Sequence, residues 1–155
     1  MNYFTEEKHD LEGYMDNLRT LTKVLDIDTH SFLLNNSFHD SRISEIILVN
    51  NYNPEAPDES QESIVSISSV AKHWDNNIYQ LLWTDVTIYS VDFDISRNKL
   101  FESQKILFNR GLDEWSHDEL TLLDNGRLRH EIYLFSQTTI IIECGNFSIK
   151  RIGLS

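Results

Sequence analysis

At 155 residues, with 40% apolar side chains and only two prolines, the chain is long enough for one hydrophobic core and too short to divide it. Its 25 acidic residues against 13 basic ones leave a formal charge of -12, and thirteen of those acids, against four bases, precede residue 63. A field of that sign repels phosphate backbones and anionic lipid, which sets aside nucleic acid and membrane as partners, and it speeds encounter with a basic protein.

The only cysteine, Cys144, sits in the apolar run 138–144 and reads as a small buried hydrophobe. No disulfide framework and no thiolate zinc site follow from one cysteine. The first residues carry neither a basic nor an apolar leader, and no stretch approaches the roughly 20 apolar residues of a membrane span. The expected location is cytoplasmic.

In chain order, Leu11, Tyr14, Leu18, Leu21 and Leu25 alternate spacings of three and four, one stripe of an amphipathic helix. Thr5 is the expected cap, with Glu6 and Glu7 at the favourable end of the dipole; His9 and Asp10 then fall on a solvated face, and Asp26 and Asp28 mark the stop. A strand is expected from Arg42 to Val49, apolar on both faces at its far end and so covered by the helix. Residues 50–62 hold both prolines and four acids, an exposed acidic loop.

Two β-rich runs, 63–74 and 78–93, flank the turn-prone Asp75-Asn76-Asn77, and Asp124-Asn125-Gly126 separates 119–123 from 128–135. The last runs, 138–144 and 147–152, form either a hairpin or one strand with a bulge at Gly145. Between the runs 78–93 and 119–123, the stretch 94–115 reads either as helical turns around 101–108 or as a loop packed by its aromatics. Ser116-His117-Asp118-Glu119 has capping-box spacing and is expected to make a short turn feeding a strand. The resulting fold class is α+β: one domain over 1–155, an N-terminal amphipathic helix packed on a largely antiparallel, hairpin-built sheet.

No zincin spacing, nucleophile elbow or glycine-rich phosphate loop is present, so no catalytic residue, metal or cofactor is assigned. His39 and Asp40 precede the first strand, where Asp40 or Ser41 would satisfy turn donors, Phe38 would anchor them and Arg42 would bridge Asp40 or Glu45. The alternative is a pocket of His39, Asp40 and Arg42, and a metal-dependent hydrolase would need them to meet His117 and Asp118. His130 and Glu131 are strand neighbours and point to opposite faces. For binding a basic partner, the densest combination of acids around an aromatic is Asp113, Glu114, Trp115, His117 and Asp118, and the second is Asp58, Glu59 and Glu62.

Three stretches, 36–43, 118–132 and 140–149, together with the N-terminal helix, resemble small uncharacterised bacterial proteins, some of them similar to immunity proteins of polymorphic toxin systems. That resemblance implies a cytoplasmic protein that occludes a toxin, and it carries no catalytic residues. The functional expectation is therefore an acidic protein-binding module. A small hydrolase around His39 and Asp40, and a structural domain that forms homo-oligomers through a sheet edge, are the alternatives.

Overall fold

The first helix begins at Asp10 rather than Thr5 in the computed structural model, which describes residues 1–5, 7–57 and 64–154. Asp10 Oδ1 accepts the Gly13 N–H at 2.9 Å and caps α1 (Leu11–Thr20), whereas Thr5 is engaged in a tight turn with Lys8. That turn closes a small N-terminal hairpin in which Phe4 pairs with His9. His9 and Asp10 thus precede the helix and are not part of its solvated face.

A 3-10 turn at Leu21–Lys23 follows, and the apolar stripe is buried from Tyr14 through Leu25, with Leu11 left exposed. Asp26 starts a second helix instead of ending the first. Its Oδ1 accepts the Asp28 and Thr29 N–H groups at 3.1 and 2.8 Å, opening α2 (Ile27–Asn35). Burial alone would raise the Asp26 pKa; the bonds from Thr29 and Asp28 outweigh it and hold the carboxyl below the usual aspartate value. No described helix is long and apolar enough to cross a membrane.

Six strands, β1 (Arg42–Asn50), β2 (Val65–Lys72), β3 (Asn77–Asp92), β4 (Trp115–Leu122), β5 (Leu128–Leu134) and β6 (Thr139–Leu154), form one antiparallel sheet in the order β1-β2-β3-β6-β5-β4. The run to residue 152 is one strand, as one of the two expected readings had it, but no register shift falls at Gly145; the nearest lies on β3 between Val86 and Ile88. The sheet coils until the starts of its two outermost strands meet: the Trp115 N–H donates to Ser41 O at 2.8 Å and the Asp40 N–H to Trp115 O at 2.9 Å.

Three hairpins share one loop geometry. Each has three loop residues, closed by His73 N–H to Asn77 O, Leu123 N–H to Arg127 O or Leu134 N–H to Thr138 O, at 2.8, 2.8 and 3.0 Å. The third loop residue is left-handed each time: Asn76 at φ 68°, Gly126 at 80° and Gln137 at 63°. Glycine supplies that conformation freely at only one of them.

Other expectations fail for identifiable reasons. Ser116–Glu119 is strand, not a turn, because its backbone is taken up by the ladder to β5. Of the aromatics of 94–115 only Trp115 is buried, with Phe101 94% and Phe108 65% exposed. The segment makes short 3-10 turns at Ile95–Arg97 and Phe108–Arg110 and is held by the buried Asn98, whose Nδ2 donates to Gly111 O at 2.7 Å. Nor does a helix cover the end of β1, where Ile47, Leu48 and Val49 are exposed in succession.

The helices lie instead on β4 and β6. Tyr14 Oη accepts the Leu120 N–H at 3.0 Å and Asn17 Nδ2 donates to Leu120 O at 2.8 Å, so α1 satisfies the outer edge of β4. Thr29 Oγ1 accepts the Ile149 N–H at 2.9 Å, where β6 has outrun β5 and would otherwise hold a buried unpaired donor. Phe38 anchors the connection to β1, with Trp115 at 5.1 Å and Phe32 at 4.9 Å between ring centroids. Arg42 pairs with Glu114 at 2.7 Å, rather than with Asp40 or Glu45.

Mid-ladder, β3 and β6 change side-chain phase together. Trp83 pairs with Phe147 and Val86 with Cys144, all inward at an odd spacing, and Asp85 takes φ 54° in between. Burial pushes the Cys144 thiol up to about 12. A Cβ on Gly145 would lie against the Asp85 carboxylate and 3.0 Å from its Cβ. Gly145→Ala should therefore destabilise the fold by about 1–3 kcal/mol, read as a lower urea midpoint at constant slope; an unchanged midpoint would mean that the kink relaxes freely.

Candidate functional site

The contact between Ser41 and Trp115 brings together residues far apart in sequence. It sets the 37–39 turn beside the start of β4, with α1 behind and the N-terminal hairpin across the mouth. The space between is a cleft of about 330 Å³. Its floor is Tyr14, Met15, Leu18 and Leu33, and its rim carries His9, His39, His117 and Asp118. Phe4 lies among these rings, 5.7 Å from His117, 6.1 Å from His9 and 5.2 Å from Tyr14.

Behind the rim runs a buried polar chain. Trp115 Nε1 donates to Asp118 Oδ1 at 2.9 Å, and His130 Nε2 faces Asp118 Oδ2 at 3.0 Å. Trp83 Nε1 donates to His130 Nδ1 at 3.2 Å. An indole can only donate, so Nδ1 of His130 is the acceptor and Nε2 carries the proton that Asp118 receives. The carboxylate is thus fixed by two donors and turns its remaining surface to the cleft.

The N-terminal hairpin is held from below by Glu119, which is 2% exposed and accepts the Asn2, Tyr3 and Phe4 N–H groups at 2.6, 2.7 and 2.7 Å. Glu131 binds the Met1 ammonium and Arg129, each at 2.6 Å. Burial raises the Tyr14 hydroxyl well above its ordinary value, and the Asp118 charge adds to this.

No family model and no curated protein sequence matches the chain.

The expected site residues separate into several places. His39, His117 and Asp118 share the cleft, joined by His9, which the sequence placed on a solvated helix face and the N-terminal hairpin brings to the rim. Asp40 and Arg42 face another hollow, of about 320 Å³, with Lys72, His73, Trp74 and Asn76, although His39 Nδ1 still lies 3.2 Å from Asp40 Oδ2. Trp115 is fully buried, so it is no exposed anchor; Trp74, 67% exposed, is the tryptophan at the surface. Asp113 and Glu114 are engaged by Arg110 and Arg42. Asp58, Glu59 and Glu62 lie outside the described residues. Among the described residues, no three His, Cys, Asp or Glu side chains are grouped to hold a metal ion.

Asp118→Asn puts an NH₂ against either the Trp115 or the His130 donor and should cost about 1–3 kcal/mol, against almost nothing for Asp124→Asn; equal urea midpoints for the two variants would contradict the network. Burial depresses the His117 pKa, the Asp118 charge opposes this, and His9 and His39 push it further down. The unfolded chain consequently binds more protons than the folded one just below the ordinary histidine pKa, so stability falls as pH drops through that window. The loss in urea midpoint from about pH 7.5 to 5.5 should be smaller in His117→Gln than in the parent. Identical losses would remove His117 from the account.

Proposed function

We propose that the chain is an acidic protein-binding module of the immunity type, acting in the cytoplasm by pairing a strand of a basic partner with the outer edge of β1. The asymmetry of the two sheet edges carries this reading. The β4 edge is satisfied by Tyr14 and Asn17 from α1, while among the described residues the outer edge of β1 beyond the Arg42–Glu114 bridge has no strand partner. Exposed edge strands are ordinarily short, charged or covered. This one is nine residues long and carries Ile47, Leu48 and Val49 at the surface.

Charge decides the kind of partner. Glu45 lies on the strand and Glu55 follows it, with Asp58, Glu59 and Glu62 next in the sequence, while the one cation of β1, Arg42, is paired with Glu114. A second copy would bring together two chains that each carry a net charge of -12, whereas a basic strand gains in both encounter rate and register. The single buried cysteine suits a reducing compartment.

Leu48→Lys places a charge at a half-exposed position of the edge strand, opposite Ile67 of β2. The parent should run as a monomer in light scattering and capture a basic protein from an extract of its source cells, identified by mass spectrometry, and the variant should lose that protein. A dimer of the parent that the variant dissolves would favour homo-oligomerisation instead. Retention of the same basic protein by the variant would remove β1 from the proposal.

A further inference from the structure

The histidine-rimmed cleft has a composition that the β1 edge does not explain. Its floor is apolar and largely buried, with Tyr14, Leu18 and Leu33 all below a tenth exposed. Its rim gathers imidazoles from three separate parts of the chain: His9 from the N-terminal hairpin, His39 from the turn after α2, and His117 from β4. His117 Nδ1 lies 3.0 Å from Ser116 Oγ, and His39 Nδ1 contacts Asp40. The Nε2 atoms of both rings have no hydrogen-bond partner among the described residues.

We infer that this cleft binds a small monocarboxylate with an apolar tail, its head among His9, His39 and His117 and its tail on Met15, Leu18 and Leu33. An apolar floor beneath a few convergent polar groups is the usual build of a small-molecule site. Imidazole at a half-buried rim is suited to an anion, because it can take up a proton when a negative charge arrives.

The charges around His117 limit the ligand further. Asp118 and Glu119 lie on its own strand, Tyr133 and Glu131 come from β5, Tyr14 from α1, His9 from the hairpin, and His39 with Asp40 from the turn. Four of these groups are carboxylates, of which Glu131 is already met by the Met1 ammonium and Arg129; the others oppose a phosphate dianion more strongly than a single carboxylate. The cleft volume, about 330 Å³, is at the small end for ligand sites and suits a short acyl chain or one ring.

Binding must then draw in protons, so affinity rises as pH falls. Calorimetry with octanoate should show saturable binding that tightens roughly tenfold from about pH 8 to pH 6, with proton uptake visible as a buffer-dependent heat. Octylammonium, with the same tail and the opposite charge, should bind at least tenfold more weakly. His117→Gln and His39→Gln should each weaken octanoate binding and flatten its pH dependence. His39 is exposed, so its variant separates loss of ligand from loss of fold. Leu48→Lys should bind octanoate as the parent does, which keeps this test independent of the β1 edge. Equal binding of octylammonium, no saturable octanoate binding at pH 6, or an unaltered pH dependence in both histidine variants would overturn the inference.

Discussion

The backbone of Leu120 points its N–H and C=O away from β5, into a position where water is excluded. Tyr14 and Asn17 supply the acceptor and the donor it needs, from one face of α1. A buried peptide group left unpaired costs as much as a lost hydrogen bond or more, so this requirement fixes where α1 lies and how it is rotated. Once α1 is there, Leu18 is in the core and Met15 faces the cleft, while Asp10 at the head of the helix turns the N-terminal hairpin back over β4. The position of His9 across from His117 follows from that geometry, and their ring centroids end 6.3 Å apart.

The two long strands divide the remaining work. β2 runs along one end of β3 and β5 along the opposite end of β6, so each long strand outruns its neighbour. At β6 the exposed length is covered by α2, through Thr29 and Ile149. No helix does the same for the far end of β3, where Ile88 and Val91 are partly exposed, or for β1. The molecule is therefore finished on its helical side, and its apolar strand surface is concentrated on the other.

Much of this was readable from local signals and some was not. The stripe from Tyr14 to Leu25, the start of β1 at Arg42 and the turn at Gly126 are short-range patterns, and each was found where the sequence put it. Helix α2 was missed because two buried side chains, Thr29 and Leu33, make too short a period, and because an aspartate at the end of one helix is indistinguishable from the cap of the next. The end of β1 was misread because apolar residues on both faces indicate burial only if something arrives to cover them. The convergence of His39 with His117 depends on the Ser41–Trp115 contact, which joins opposite ends of the sheet. Trp115 was singled out as a candidate anchor by its acidic neighbours; a bulge between Trp115 and His117 separates its phase from theirs and leaves it in the core.

The shared geometry of the three hairpin loops has a bearing on how such a chain can vary. Adding one residue to any of them would rotate every later side chain of the following strand to the opposite face. β5 and β6 would each exchange a buried row for an exposed one. Insertions and deletions are thus tolerable only in the long connections that follow β1 and β3, which join strands without setting their register. Sequences descended from a common ancestor with this one should keep the lengths of the three short loops and differ in the other two.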